Sequence, residues 1–530
     1  MKKILAFLLA CLLLLTCVAC NPANNDPTPN DTSTSGDGND ESGNPDDSDE
    51  TTDEVTTEII TDEWGRPLVE YDLPIDSLDF GKEFWIAAWD NDYAKVDLGD
   101  YEKPADALEL VLVERNMQIE EELGIEFKYD RYAASSADSA LNKQIEQDWK
   151  AGGTYSMIHN YAAYSVAPMI RNYLVDLKDS EAMPYLDLTK PWWNDKFIEN
   201  TQGMGHLYYI IGDSNLCAYN RMMATYVNFD LYEKYVTGDD YIDLYDLVLE
   251  GDWTYDVLFT YASIWDDKNG SDSKDANDVY GLLSNANCEA YDGFLYAFNL
   301  ELTVENDDGT HAWNVDGNAL LEDGMSKVVN LYNQNGVWLI AKTPGAETTS
   351  TQQYQMFANS NAIFDIDVIY RYAEQNKAFR EMKDKYGLLP LPKYDTNQKQ
   401  YGSGMQDSYA IVSVPSNARL DAEMASAVLE HMNALSYEYV RPYYFEKIMK
   451  AKYLGTSEAS RVFDIILDNS DFDFGEQFNV ALEGAKYKLW RSVAKNEGTV
   501  DGAWETNSDK LTTALRELDE WFQVRDMFDE

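Results

Sequence analysis

The sequence predicts an α/β protein whose folded body is divided into two lobes. Strand and helix signals alternate from residue 84 to residue 160, and a strand followed by a helix recurs near residue 410. The chain is also too long for one core: about 465 of its 530 residues follow a polar N-terminal stretch, whereas a single core stops growing near ~250 to 300 residues.

Each element has a local cause. Residues 84–89, within "GKEFWIAAWDND", form an apolar run that reads as a buried strand closing at Asp90. Pro104 is placed for the first turn of a helix; Leu108, Val111, Leu112, Ile119 and Leu123 recur at helical spacing; Gly124 ends it. Residues 125–129 start a second strand, residues 139–150 a second helix running to Gly152 and Gly153, and "YSMIHN" a third strand. This order requires a parallel sheet, and such sheets bind ligands beyond the carboxyl ends of their strands. Those ends are Trp89-Asp90, Asp130 and residues 159–164. "YAIVSVP" and the helix over 421–435 repeat the same unit, while "LYDLVLEGDWTYDVLFTYASIW" opens a mostly helical region. There Trp253 is expected to lock a helix opened by Thr254 or Asp252. Trp192 and Trp193 are expected in the core near a passage between lobes.

The N-terminus reads differently. Lys2 and Lys3 precede twelve apolar residues, 4–15, the length of a signal core and short of the ~20 a spanning helix needs. Val18 and Ala19 before Cys20 resemble a bacterial lipoprotein signal, with residues 1–19 removed and Cys20 the lipid attachment point. Cys17 is a poorer site because Thr16 precedes it; a plain cleaved signal and an uncleaved anchor are the alternatives. Two or more acyl chains on Cys20 would hold the protein stably. Residues 21–63 carry 14 acids and no base, too polar to offset the entropy of ordering, so residues 20–63 read as a lipidated, disordered tether.

Charge excludes several functions. The chain carries −54; removing the two signal lysines and the 14 tether acids leaves about −42 on the body, which repels nucleic acid and anionic lipid. Of the five cysteines only Cys217 and Cys288 lie in the body, either as one disulfide or as two buried thiols. The four histidines have no HExxH spacing, and no cofactor motif, P-loop or GxSxG elbow occurs, so neither metal nor cofactor is expected.

The ordered segments "GIEF", "LVDLKDSEAMPYLDLTKPWWND", "GHLYYIIGDSNL", "NSNAIFDIDV", "YGLLPLPKYD" and "YAIVSVPSNARLDAEMASAVLEHM" resemble the extracellular solute-binding lipoproteins of ABC importers, family 1, sugar-binding type. The resemblance spans about residues 80–525. It implies a two-lobed periplasmic-binding-protein-like fold of type II, a mostly helical second lobe, a ligand cleft between lobes, and ABC permease subunits as partners. It further implies a monomer at the outer face of the cell membrane, Gram-positive in type. On that topology lobe 1 takes 75–205 plus 409–450 and lobe 2 takes 206–408 plus 451–525, with Gly402 and Gly404 beside Met405 at a hinge.

A sugar needs aromatic plates flanked by planar polar groups. Trp89 and Asp90, then Tyr161 and Tyr164, sit at predicted strand ends. Asp365 and Asp367 share one strand face, and because two like charges are costly to bury, at least one is expected to meet a ligand, a cation or a base. The resemblance adds Tyr370 as the aromatic over the sugar, Asn287 and Tyr291 before a helix, and Trp490 as a late helical aromatic. A surface-anchored glycoside hydrolase has similar parts but needs two carboxylates about 5 to 9.5 Å apart; an adhesin lipoprotein would need no cleft. The reading is a binder of carbohydrate, an oligosaccharide first, and not an enzyme.

Overall fold

The computed structural model describes residues 61–529 except 70–71, 287–288, 341–348, 373–378, 380, 418 and 497. Cys20, the tether, Cys288 and Asn287 therefore lie outside the described residues. Fourteen strands occur among those described: β1 (Lys82–Trp89), β2 (Ile125–Tyr132), β3 (Met157–Tyr161), β4 (Met223–Asn228), β5 (Trp265–Asp266), β6 (Val279–Asn285), β7 (Thr303–Glu305), β8 (His311–Trp313), β9 (Val337–Ile340), β10 (Ala362–Val368), β11 (Tyr386–Leu389), β12 (Ser403–Gly404), β13 (Ala410–Ser413) and β14 (Ser470–Asp471).

The first lobe is built on a four-stranded sheet in the order β13-β3-β1-β2. β1 pairs parallel with both β2 and β3, as the alternating signals require. The helix Ala107–Leu123 connects the first two, and it begins later than predicted: Asp106, not Pro104, sets the start by accepting from the Glu109 N–H. Gly124 ends it in the left-handed conformation at φ 62°. A side chain there would also collide with Asp79. Ser139 caps the helix Ala140–Lys150, which leads to β3. β13 joins the sheet antiparallel to β3, so "YAIVSVP" is not another unit of the parallel series but an edge strand arriving from the other lobe. Its helix, Ala422–Leu435, is capped by Asp421.

The second lobe holds a six-stranded sheet in the order β11-β4-β10-β6-β5, with β9 also on β6. β10 runs parallel to β6 and antiparallel to β4. Every residue of β4, β6 and β10 is buried, as expected for strands covered by helices on both faces. Trp253 is enclosed, donating its indole N–H to the Pro390 carbonyl. Thr254 occupies the helix N-cap without a side-chain cap bond, so packing rather than capping locks this start.

Three segments pass between the sheets. Residues 206–223 and 401–413 cross side by side, bridged at Ile210 with Val412 and Met222 with Met405. Gly402 and Gly404 press on Tyr296, where added Cβ atoms would lie 2.1 Å from its carbonyl oxygen and 2.0 Å from its ring. Close approach, not backbone freedom, demands glycine there. The third passage is helical: Ala422–Leu435 continues into wide π-turns over Ser436–Val440 and Tyr443–Leu454. It is pinned to the first by an Arg441–Asp213 ion pair at 3.0 Å and by the Tyr444 hydroxyl donating to Asn220 at 2.6 Å. Cys217, on the first passage, is a buried free thiol. No helix among the described residues is long and apolar enough to cross a membrane.

Candidate functional site

The carboxyl edge of the first sheet gathers three of the predicted aromatics. Trp89, last in β1, stacks on Tyr161, last in β3, with centroids 4.5 Å apart and planes 8° from parallel. β3 runs one residue past the end of β1 in the parallel register, and the two terminal rings lie face to face. Tyr161 then meets Tyr164 edge-on at 5.2 Å. The arrangement orders the plates: Trp89 is the buried backing, and Tyr161 and Tyr164 are half-exposed. Asp90 is exposed, its N–H donated to the Tyr132 carbonyl.

Beside Tyr161 lies a pocket lined by Ala162, Ala163, Asp407, Tyr409, Glu476, Gln477, Asn479 and Lys486. Its floor comes from the second passage, whose Ser408 hydroxyl lies 3.4 Å from that of Tyr161. Its far wall comes from the C-terminal helices. Lys486 is buried there, paired with Glu476 and, at 3.4 Å, with Asp292. Arg491 grips both oxygens of Asp292 and reaches Asp407 at 3.8 Å. Burial raises the Asp292 carboxyl, but the Lys486 and Arg491 charges outweigh it and hold the group below the usual carboxylate range. Fixed polar and charged groups close to a ring plate are the parts that hydroxyl-rich rings require.

The two lobes also touch through aromatics. Tyr93, in the loop after β1, meets Tyr370, just past β10, edge-on at 4.9 Å. The Arg221 guanidinium of the first passage lies 4.4 Å from the Tyr93 ring centre and 5.4 Å from that of Tyr370. Tyr370, expected over a sugar, meets Tyr93 and a cation.

Other predicted residues are placed elsewhere. Trp490 is wholly enclosed and donates its indole N–H to the Tyr291 carbonyl at 2.8 Å; it is a core residue, not a plate. Tyr291 is buried and packs edge-on against Tyr332 at 5.6 Å. Asp365 and Asp367 lie inside the second sheet. Asp365 accepts from the Gln353 amide at 2.6 Å, which in turn accepts from Asn285 at 2.9 Å, and an Asp367 oxygen accepts from the Val368 N–H at 2.8 Å. Amide and backbone donors thus reach both carboxylates inside the sheet, where one of them was expected to meet a ligand, a cation or a base. His159 is buried with Asp97 at 2.9 Å, away from the pocket. Sequence reasoning missed Tyr93, Arg221, Asp407, Gln477, Asn479 and Lys486; of these only Tyr93 carried a signal, three residues past Asp90 in the same loop.

No family model matches the chain, and no curated protein does. Solved structures match over most of its length. The GacH receptor of Streptomyces glaucescens, solved alone and with acarbose, is 14% identical at a TM-score of 0.50, over 82% of this chain and 98% of that one. An ABC transporter solute-binding protein of Thermotoga lettingae, solved with α-D-tagatose, is 12% identical at 0.50, over 82% and 99%. The fold is the two-lobed type II binding-protein fold. At this identity the likeness carries the fold and not the ligand.

Proposed function

We propose that the chain is the solute-capturing component of an ABC importer, held on the outer face of the cell membrane through lipid on Cys20, and that its ligand is an oligosaccharide taken between the two lobes. The observation carrying this reading is the Trp89–Tyr161–Tyr164 plate at the carboxyl edge of the first sheet, with Ala162 and Ala163, between its two tyrosines in the chain, lining a pocket together with Asp407, Gln477, Asn479 and Lys486. A ring face binds the aromatic side and its hydroxyls meet planar amides, carboxylate and ammonium. The two neighbours described above are named as a receptor and a solute-binding protein, and both were solved with carbohydrate-type ligands, which supports the same reading. Capture would proceed by closure about the passages between lobes, presenting a joint surface to a permease.

Calorimetry of the purified chain against a glycan panel, with product analysis and small-angle scattering, tests this. The expected result is saturable binding of an unaltered glycan with a smaller scattering radius. Shortened glycans would establish the hydrolase instead, and the absence of both binding and cleavage an adhesin. Cys20→Ser should release the protein from the membrane fraction; retention there overturns the anchor.

A further inference from the structure

Arg221 differs from the other buried arginines. Arg441 pairs with Asp213, Arg491 with Asp292, and Arg115 donates to the Asp97 carbonyl, Asn116 and Ser436. Arg221 is 6% exposed, and its Nε has no acceptor. Among the described residues no carboxylate pairs with it. The carboxylate of Asp97, near the same helix as Cys217, is already taken by His159 and by the Cys217 N–H. What Arg221 has instead is the Cys217 thiol and two phenol rings near its guanidinium, Tyr93 from one lobe and Tyr370 from the other, the rings 80° apart.

Burying a guanidinium is costly, and cation–π contacts return only part of that cost. Ring contacts supply no acceptor to the guanidinium N–H groups, whereas a carboxylate accepts from two of them in parallel. The rim of the place meets solvent at Tyr93, 41% exposed, while Arg221 itself is buried. It also lies on a passage between lobes, where a ligand held by both would sit. The rest of the body is strongly acidic, so one cation in this position is selective against its own surroundings.

We propose that Arg221 receives an acid group of the ligand, and that the captured solute is a carboxylate-bearing sugar, a uronic acid oligosaccharide. This rests on the carbohydrate reading above and narrows it. The test is calorimetry of the purified chain with galacturonate and glucuronate oligosaccharides, the same oligosaccharides with their carboxyls reduced to alcohols, and neutral gluco-, manno- and xylo-oligosaccharides. An acidic member should bind, and its reduced counterpart about tenfold or more weakly, the loss expected for a charge-assisted pair. In Arg221→Gln, acidic and reduced forms should bind within about twofold of each other, the closing of a double-mutant cycle. The wild-type ratio needs no variant, so it decides the matter even if Arg221→Gln fails to fold. Neutral or reduced glycans bound as tightly as acidic ones would overturn the acid-group proposal and leave carbohydrate capture standing. An acidic preference that survives in folded Arg221→Gln would move the receptor away from Arg221. Binding of no member would remove both readings.

Discussion

The carboxyl edge of β1 and β3 and the interior of β10 carry similar residues with opposite outcomes. Trp89, Tyr161 and Tyr164 stand at or just past the last paired position of their strands, and the outer two rings keep solvent contact. Asp365 and Asp367 stand three and one positions before the last residue of a strand buried on both faces, where the protein donates hydrogen bonds to them. Residue type alone does not separate the two places. Enclosure of the strand does.

Substitutions test that contrast, beginning with the enclosed charges. Asp292→Asn leaves Lys486 and Arg491 facing each other without their shared counter-charge, and should cost about 3 to 5 kcal/mol in a urea titration. Asp365→Ala strands the Gln353 amide; the expected cost is about 1 to 3 kcal/mol, with glycan affinity in calorimetry within about twofold of wild type. A large affinity loss at unchanged stability would return Asp365 to the ligand site. Tyr161→Ala should act the other way, weakening glycan binding by about tenfold, or ~1.4 kcal/mol, while the melting temperature moves only a few degrees.

A further effect is conditional on pH. Glu430 is enclosed in the first lobe, where the indole N–H groups of Trp192 and Trp193 and the Asp187 N–H donate to it. Burial pushes its carboxyl up to about 8 from an ordinary 4.5, against the pull of those donors. Between these values the folded state keeps a proton that the unfolded chain has released. Stability therefore falls as pH rises through that window, by at most about 1.4 kcal/mol per unit. Glu430→Gln has no such proton, so its melting temperature should gain on wild type from pH 5 to pH 8.5. Parallel curves would show Glu430 ionised throughout.

The first lobe was legible because its signals are local. Gly124, Ser139 and Asp421 act within four residues of themselves, and the strand ends that bring Trp89 onto Tyr161 follow from the parallel order. β13 misled because a strand's direction is set by where the chain comes from, here the other lobe. The pocket's far wall was invisible because Gln477 ends a four-residue helix, Asn479 lies in the turn after it and Lys486 precedes a short π-turn, segments without periodic signal, brought beside Ala162 by folding over more than three hundred residues. Trp490 and Asp365 misled for a common reason: one apolar and one charged residue at suggestive positions were each completed by a partner distant in sequence, Tyr291 and Gln353.

The passages between lobes have a mechanical consequence. Two chains bridged at their ends, the first carrying the helical turn Leu216–Tyr219, behave as a leaf spring, easier to bend than to stretch. The helix through Ser436–Val440 and Tyr443–Leu454 beside them is a rod, clamped to the spring by Arg441 and Tyr444. A spring fixed to a rod leaves the two sheets free to rock and poorly able to slide, and Gly402 and Gly404, pressed against Tyr296, are where the spring has no thickness to spare.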